Sequence, residues 1–454
     1  MSRRPLALAL ALATLLPASA FAEDLLQTYE LARAGDPQLA AAESGRLAQK
    51  EGAVQARAVL LPQIDGSASL SRSHQQGFGD DPTTRSYSAN LDQTVFNWSS
   101  FANLRGQRAL STAADYDLEA ASDLLVTRTS AAYFNVLVAI ETLAAAEAAE
   151  TALKRQFDYA DKRLEVGLAP ITDVHEARAT YDSARANTIA QRNALADAYQ
   201  ALAEITGTPI RDLKGLPDDF RPDLPAGGDA DAWVASAIDN NPSLKSLEYQ
   251  VRSAEQGVSS ARGGHYPTLG FGASYGNSES WGGTNAGSLQ REGESRSIGL
   301  TLRVPIFSGG ATQSRVREAI ASRDIRQDQY EQQKRAVERN TRNSYQTLVA
   351  GISEIEARRL AVVSADAAYD ASQVGLEVGT RTVLDVLINQ QNLFNARQAY
   401  AIAKYNYLQN RLLLEQSAGS LDYEDVQEVN RLLTVDANAQ LSTDPATQVE
   451  PQAQ

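Results

Sequence analysis

One long pattern occurs twice in this chain, and it constrains the fold more than any other feature of the sequence. Gly167–Gly207 and Gly379–Gly419 both run from a glycine, through an Asp-Val dipeptide, to a closing glycine, 212 positions apart. Because glycine commonly ends helices, each copy reads as one helix between two breaks. A chain that repeats such a unit is predicted to consist of two equivalent halves.

The duplication extends toward the N-terminus of both halves. Asp36-Pro37 matches Asn241-Pro242 at an offset of 205, and LLPQIDGSASL matches HYPTLGFGASY at the same offset. Val95-Phe96 matches Ile306-Phe307 at an offset of 211. The offset grows by six between these points, so the second half is expected to carry a longer loop, Asn277–Glu294, against Gln76–Thr84 in the first.

Each half shows the same order of predicted elements: short helix, strand, loop, strand, very long helix, break and medium helix. Apolar residues alternate with polar ones in the strands, as in Ile298, Leu300 and Leu302. The stretches Ser99–Val166 and Ala311–Val378 are free of proline and predict helices about 100 Å long. An apolar series repeats every seven residues along the first of them, which indicates a coiled-coil seam: Leu118, Leu125, Ala132, Ala139 and Ala146.

The first residues indicate export. Arg3 and Arg4 precede the apolar run Leu6–Leu16, and Ala20-Phe21-Ala22 offers a cleavage site, so we expect a signal peptide and a mature chain that begins near Glu23. The formal net charge of −14 argues against nucleic-acid binding, because such binding depends on cations that neutralise phosphates. With no cysteine, the chain can form neither a disulfide nor a thiolate metal site.

The strands are the candidates for crossing a membrane. The mature chain lacks a run of about 18 apolar residues, whereas about 10 tilted residues of an alternating strand cross an outer membrane. Trp98 and Trp281 lie near strand ends and suit a membrane interface. Four strands cannot close a barrel, so membrane strands would require two or three copies of the chain. Soluble hairpins packed on the helices are the alternative.

The duplication, the proline that opens each odd strand, Ile171–Val174 (ITDV) and Gly379–Leu387 (GTRTVLDVL) together resemble the TolC-type outer membrane efflux protein family. The resemblance implies a mixed α and β membrane protein. Three chains with four strands each form a 12-stranded outer-membrane β-barrel, which a long periplasmic α-helical barrel continues. It also implies a passive exit duct for tripartite multidrug efflux or type I protein secretion, with a periplasmic adaptor (membrane fusion) protein and an inner-membrane pump as partners.

On this basis the chain divides into five segments. They are a signal peptide (1–22), a first structural repeat (23–207), a linker or equatorial segment (208–240), a second repeat (241–419), and a C-terminal equatorial segment with a disordered tail (420–454). The tail from Val435 onward lacks periodicity, which predicts disorder there.

The resemblance also assigns roles at the two breaks. Thr172, Asp173 and Arg381 correspond to a hydrogen-bond and salt-bridge network that holds the periplasmic mouth closed, and Asp385 to an acidic ring that faces the lumen. Capping of a helix N-terminus is the alternative for both aspartates, with Thr172 and Thr382 as further candidates.

Two positions depart from the family pattern near these residues. Leu376 stands where the best-known member has a tyrosine, and Ile388 where a second acidic ring would fall. A separate observation supports a duct: Asn and Gln residues crowd the last long helix, as a wetted lumen surface without fixed charge would require. They are Gln390, Gln391, Asn392, Asn395, Gln398, Asn406, Gln409 and Asn410.

An enzyme is not expected, and neither is a cofactor. His74, His175 and His265 never approach metal-ligand spacing, and no phosphate-binding loop or nucleophile motif occurs. The alternative function is a periplasmic coiled-coil scaffold without channel activity. Extraction separates the two, because a protein embedded in the outer membrane requires detergent.

Overall fold

The computed structural model describes residues 24–74, 83–168, 170–217, 219–225, 228–282 and 291–441. The expected signal peptide lies outside these residues, as do residues 283–290 of the longer loop. In each half, the helix, the two strands, the very long helix and the medium helix that were predicted follow one another in the predicted order.

The helices of the described chain are α1 (Leu25–Gly35), α2 (Pro37–Ala58), α3 (Trp98–Glu165), α4 (Ile171–Thr206), α5 (Ala230–Asn240), α6 (Pro242–Gly263), α7 (Ala311–Glu377), α8 (Val383–Ala418) and α9 (Tyr423–Leu432). Its strands are β1 (Gln63–Arg72), β2 (Thr83–Phe96), β3 (Lys214–Gly215), β4 (Thr268–Trp281), β5 (Arg291–Arg303) and β6 (Val435–Asp436).

Equivalent helices of the two halves have nearly the same lengths. Both α1 and α5 have 11 residues, both α2 and α6 have 22, and both α4 and α8 have 36, while α3 has 68 and α7 has 67. The prediction of two very long helices is therefore confirmed to within one residue at each end. Leu125, Ala132 and Ala146 of the predicted seam are buried.

Three short helices, α1, α5 and α9, were not predicted. The N-cap of helix α1 is Asp24, whose side chain accepts a hydrogen bond from Gln27 N–H at 2.8 Å, while the Gln27 side chain accepts one from Asp24 N–H. This reciprocal capping satisfies N–H groups that the helix leaves free. Helix α5 lies in the segment predicted as a linker and stands 205 positions after α1, the offset of the first half of the repeat.

The four long strands form one antiparallel sheet in the order β1-β2-β4-β5. The central pair β2–β4 joins the two halves, with Leu91 opposite Ala273 and a bulge between Thr94 and Phe96. The prediction of a loop over Asn277–Glu294 was wrong at both ends, because β4 continues to Trp281 and β5 begins at Arg291. Alternating serine, glycine and charged residues pair there as regularly as the apolar ones.

The two faces of the sheet differ in chemistry. The register places Ile64, Leu91, Ala273 and Ile298 in one row across the four strands, on an apolar face. The other face carries hydroxyl groups, which join in cross-strand hydrogen bonds: Ser67 with Ser88 at 2.8 Å, Ser69 with Ser86 at 2.7 Å, and Ser274 with Ser297 at 2.8 Å. An alternation with solvent-exposed apolar side chains is the pattern of a sheet between lipid and water.

The segment after the second long helix pair folds back onto the segment between the halves. Strand β3 pairs with β6, with Lys214 opposite Asp436, and a 3₁₀ helix follows at Ala437–Gln440. Leu213, Leu216, Val426 and Val429 are buried in one core with α3 and α8. The prediction of disorder from Val435 onward was thus wrong for 435–441, and the remaining residues lie outside the described chain.

Contacts divide the described chain into two compact units. One draws on the chain up to Leu39, on Ser122–Ala237 and on the chain from Asn340 onward, and it contains both helix breaks. The other draws on Ala40–Ala121 and Ile238–Arg339, and it contains the four-stranded sheet. Among the described residues, no helix is both long enough and apolar enough to cross a bilayer.

Candidate functional site

The candidate site lies at the two breaks between the long helices. Gly167 and Gly379 both have a positive φ, 72° and 78°, which only glycine adopts without strain. Leu168 N–H donates to the Arg163 carbonyl at 2.8 Å, and Thr380 N–H donates to the Gly375 carbonyl at 2.8 Å. These bonds close each helix end in the same way, so the glycines that mark the repeat in sequence mark two equivalent turns.

Both breaks lie at the same end of the helices, as the sequence predicts. After the first break α4 folds back along α3, because Ala160 packs with Val174 and Ala177. Leu153 of α3 packs with Val383 and Leu387 of α8 in a second cluster. Leu153 is twelve residues before the end of α3, whereas Val383 and Leu387 lie in the first five residues of α8, so the first break extends further along the helices than the second.

The second break is held by a reciprocal cap. Thr382 is the N-cap of α8: its hydroxyl accepts from Asp385 N–H at 3.2 Å, and Asp385 Oδ2 accepts from Thr382 N–H at 2.8 Å. The Thr382 N–H, together with the Thr382 hydroxyl, which donates to the same Oδ2 at 2.8 Å, holds the pKa of the Asp385 carboxyl below its usual range, and the charge of Arg381 adds to this effect. The capping role considered for Asp385 is therefore present in the structure.

The Arg381 side chain lies close to the backbone of Gly375, at the second break. Its Nη1 is 3.9 Å from Asp385 Oδ1, in a pair with both side chains substantially exposed. A Cβ at Gly375 would come within 2.6 Å of Arg381 Cγ, so the arginine depends on the absence of a side chain at Gly375. Within a single described chain Arg381 pairs with Asp385, and its predicted contact with Asp173 or Thr172 stays a prediction.

In the described residues, the first break has neither a reciprocal side-chain cap nor an ion pair like that of Arg381 and Asp385. The N-cap of α4 is Pro170, which makes no side-chain capping bond. The Thr172 hydroxyl approaches Asp173 Oδ1 at 3.5 Å, the upper limit of a hydrogen bond. Asp173 lies in the first turn of α4, where a negative charge favourably meets the helix dipole.

Leu376, one of the two departures from the family pattern, packs at the second break. It lies against the cluster of Leu153, Val383 and Leu387. It also lines a groove of about 330 Å³ with Arg155, Tyr159 and Tyr369. An apolar contact therefore occupies the place where a tyrosine would supply a hydroxyl group. Ile388, the second departure, is exposed.

Trp98 and Trp281, the two tryptophans predicted for the membrane interface, lie at opposite ends of the sheet. Trp281 is the last residue of β4 and pairs with Thr83 at the start of β2, whereas Trp98 follows the end of β2. Trp98 donates from Nε1 to Ser259 Oγ at 3.1 Å and meets the Tyr266 ring edge-on, with centroids 6.0 Å apart. Their predicted interfacial role is not tested by these contacts and stays a prediction.

The amide side chains of α8 do not all share one environment. Gln391, Asn392, Asn395 and Asn406 are exposed. Gln390 is buried, however, and donates to the Ala149 carbonyl at 3.4 Å, and Gln409 donates to the Thr127 carbonyl at 3.1 Å. The prediction that these amides form a wetted face was wrong for Gln390 and Gln409, which link α8 to α3.

A buried ion pair in the helical unit escaped the sequence analysis. Lys404 Nζ of α8 lies 3.0 Å from Glu141 Oε1 of α3, and the Tyr405 hydroxyl donates to the same oxygen at 2.8 Å. Burial raises the pKa of the Tyr405 hydroxyl, and the nearby Glu141 charge adds to this effect. The partners are 263 residues apart, so no local signal identifies the pair. Among the described residues no cluster of His, Asp or Glu has the arrangement of a metal site.

The model of the outer membrane efflux protein family matches residues 28–208 and 233–420, one stretch for each half. The chain belongs to the outer membrane efflux protein family. It is 35% identical over 423 residues to outer membrane protein TolC of Escherichia coli strain K12, with 91% of this chain and 85% of that protein covered. It is 31% identical over 429 residues to alkaline protease secretion protein AprF of Pseudomonas aeruginosa, with 91% and 88% covered.

Solved structures share the fold. The CmeC outer membrane channel of Campylobacter jejuni aligns with a TM-score of 0.77 at 20% identity and covers 91% of this chain and 90% of its own. As a member of the outer membrane efflux protein family, the chain is an outer-membrane channel protein, and the predicted resemblance, mixed α and β fold and location are confirmed.

Proposed function

We propose that three copies of this chain form a passive exit duct across the outer membrane, gated at its periplasmic end. One observation indicates that more than one copy is needed: within the described residues the sheet has an apolar face, a serine-rich face, and two edge strands, β1 and β5, that each pair on one side only. In lipid, unpaired edge groups are costly, so the strands need partners from other copies. Three four-stranded sheets make a barrel of twelve, with the serine-rich face toward water.

The proposed partners follow from the relatives. One is named as an efflux protein of the outer membrane and another for the secretion of an alkaline protease. We infer a duct for multidrug efflux, type I protein secretion or both, which works with a periplasmic adaptor and an inner-membrane pump. A passive duct carries out no reaction of its own, so no enzymatic activity is proposed.

The domain division is proposed with one change. The equal lengths of α1 and α5 support a second repeat that begins at Ala230 rather than at 241. Residues 208–229 and 420–441 then form the equatorial segments. Trp281 is proposed for the outer interface of the membrane, and Trp98 for the periplasmic one.

The gate is proposed at the breaks. Asp173 and Thr172 of the first break and Arg381 of the second lie at one end of the helical unit, and Asp385 has an exposed carboxyl in the first turn of α8. Three copies would bring three Asp385 carboxylates around one axis. Such a ring would bind multivalent cations and favour the passage of cations.

The experiment is a native mass measurement of protein extracted from outer membranes. We expect extraction to require detergent and the mass to equal three mature chains. A chain that leaves with the periplasmic fraction as a stable monomer would instead indicate the coiled-coil scaffold.

A further inference from the structure

The apolar face of the sheet changes its chemistry toward the end that carries Trp281. Beyond the row of Ala273, three successive rows place aromatic and charged side chains on this face: Tyr275 and Arg296, then Tyr87 and Glu294, then Arg85, Glu279 and Glu292. Trp281 lies beyond all three rows, opposite Thr83. Charged groups on the lipid-facing side of a barrel are destabilising within the hydrocarbon, so these rows need a polar layer.

The remaining apolar part of the face has the length of one membrane crossing. About 10 tilted strand residues cross an outer membrane, and Ile298–Phe307 has that length. Ile306 and Phe307 at its far end are 95% and 89% exposed. If the hydrocarbon instead reached Trp281, it would enclose Arg296 and leave Phe307 in water. The outer boundary of the hydrocarbon is therefore expected at the rows that carry the two tyrosines, a residue type enriched at membrane interfaces, with the charges in the head-group layer.

The two arginines of these rows are held against the sheet in the same way. The Arg296 guanidinium lies over the Tyr275 ring, 5.7 Å from its centroid, and the Arg85 guanidinium lies over the Tyr87 ring at 5.5 Å. A cation on the face of an aromatic ring is attracted by that ring. Each tyrosine therefore holds a cation at the boundary between the apolar and the polar part of the face.

A carboxylate fixes each arginine from a second side. Arg85 Nη2 lies 2.5 Å from Glu279 Oε2, and Arg296 donates from Nε to Glu294 Oε1 at 2.9 Å and from Nη2 to the same oxygen. A guanidinium has five N–H groups. Because the Arg296 side chain is 75% exposed, its other N–H groups can reach a ligand that comes from the membrane. The arginines are thus oriented in advance, which lowers the entropy lost on binding.

The ligand that fits two oriented guanidinium groups above an apolar face is a phosphorylated lipid. A guanidinium binds a phosphate group through two parallel hydrogen bonds. In the outer leaflet of an outer membrane, lipid A carries phosphate groups on its sugars and acyl chains below them. Its acyl chains would cover Ile298 and Leu300, while its phosphates would meet Arg296 and Arg85. Free inorganic phosphate offers the same hydrogen bonds but lacks the apolar contact.

We propose that Arg85 and Arg296, each held by a tyrosine and a glutamate, bind the phosphate groups of lipid A on the outward face of the sheet. This assignment rests on the proposed duct across the outer membrane and adds a lipid site to it. It also places Trp281 in the head-group layer, above the hydrocarbon.

Lipid binding is tested by native mass measurement of the full-length protein, purified from outer membranes in detergent. Added lipid A that carries both phosphates should bind to the trimers, and lipid A from which the phosphates were removed should bind much more weakly. Arg85→Gln with Arg296→Gln should weaken the binding of bisphosphorylated lipid A about tenfold or more, because both phosphate contacts are lost. Excess inorganic phosphate should leave lipid A bound.

Arg105→Gln with Arg252→Gln is the matched control. These arginines also lie over aromatic rings, 5.1 Å from the centroid of Trp98 and 4.5 Å from that of Tyr249, but they belong to helices α3 and α6. The control should therefore bind lipid A as the wild type does.

Four results overturn the lipid site while the trimer stands. They are equal binding of the two forms of lipid A, displacement of lipid A by inorganic phosphate, an equal loss in both double variants, and unchanged binding in Arg85→Gln with Arg296→Gln. A monomeric native mass would instead overturn the duct on which the site rests.

A second measurement tests the position of the boundary without changing either arginine. Because the chain has no native cysteine, single spin labels on Asn277→Cys and Ala273→Cys can be compared in lipid bilayers. Both positions lie on the outward face of β4, Asn277 opposite Glu294 and Ala273 opposite Ile298. A water-soluble relaxation reagent should reach the label at 277 and be excluded from the label at 273. Equal exclusion from both labels would place the charged rows in the hydrocarbon and overturn the assignment.

Discussion

The two helix breaks occupy equivalent positions in the repeat but differ in how they are held. At the second break Thr380-Arg381-Thr382 precede α8, and at the first Leu168-Ala169-Pro170 precede α4. The second has a reciprocal cap and an ion pair, whereas the first has a proline N-cap without a capping side chain. Duplication preserved the glycine turns, and the side-chain chemistry diverged around them.

This difference indicates that the two breaks have different roles at the proposed gate. The second break supplies a fixed charged element, because Thr382 and Asp385 orient the start of α8 and Gly375 leaves room for Arg381. The first break extends further and offers Asp173 and Thr172 on a less constrained turn. We therefore expect substitutions at the second break to change gating more than equivalent substitutions at the first.

The largest effect is expected when both sides of the proposed lock are removed. Arg381→Ser with Asp173→Ala should raise the single-channel conductance in planar bilayers and sensitise cells to large antibiotics. An exposed charge pair contributes little, but three symmetric copies together could shift the closed-to-open population roughly tenfold to a hundredfold. The single variants Arg381→Ser and Asp173→Ala compare the two breaks, and Arg381→Ser should raise the conductance more.

Arg358→Ser with Glu354→Ala is the matched control for that double variant, because it removes another exposed pair from α7, with atoms 3.3 Å apart. Its conductance should equal that of the wild type. An unchanged conductance in the gate variant, or an equal rise in the control, would contradict the proposed lock.

The next effect concerns the charge of Asp385. Multivalent cations on the periplasmic side are expected to block the current, and Asp385→Ala should relieve the block because the ring loses its carboxylates. Asp173→Ala tests the equivalent aspartate of the first break and should leave most of the block in place. A block that persists in Asp385→Ala would place the cation site elsewhere.

A smaller effect is expected from crowding under Arg381. Gly375→Ala sets a methyl group within 2.6 Å of Arg381 Cγ, so the arginine must move and the closed state should weaken. Gly351→Ala lies on the same helix, where the new methyl group would meet Tyr407 at an ordinary 3.9 Å. Conductance should rise in the first variant only, and a rise in both would point to α7 rigidity instead.

The smallest effect is local and depends on pH. Thr382→Ala removes the N-cap and should cost about 1 kcal/mol at the start of α8, seen as faster hydrogen exchange in a peptide spanning Thr382–Leu387. Because the folded pKa of Asp385 is depressed, its stabilising contribution is present above the unfolded value of about 4 and is lost as pH falls through the folded pKa.

The same exchange measurement made on wild-type protein from pH 6 to 3 should therefore show the second break loosening at the acid end. Asp385→Asn should exchange faster at pH 6 and lose the acid-induced change. If wild type and Asp385→Asn respond alike to pH, the cap does not depend on the carboxylate.

The sequence predicted the helices better than the contacts between them. Glycine, proline and heptad periodicity located α3, α4, α7 and α8, because these signals act over a few residues. The capping pair Asp24 and Gln27 was also readable and marks α1, which was missed. The pairing of Lys214 with Asp436 and of Lys404 with Glu141 joins residues more than 200 positions apart, so only the folded chain brings them together.

At the candidate site, too, the sequence predicted local features better than contacts. Both breaks were located from their glycines, and the capping alternative for Asp385 followed from its position just after the second break, near a helix N-terminus. The dependence of Arg381 on Gly375 could not be predicted from the sequence, because it arises from the path of the turn that Gly379 makes. Nor could periodicity separate the exposed amides of α8 from Gln390 and Gln409, which lie toward α3.

The most direct test of the channel assignment is the current carried by wild-type protein purified from outer membranes in detergent and inserted into planar bilayers. We predict discrete, cation-favouring single-channel steps that arise from an assembly of three chains. Intact trimers that insert into the bilayer without any current, even after Arg381→Ser with Asp173→Ala, would contradict a gated duct.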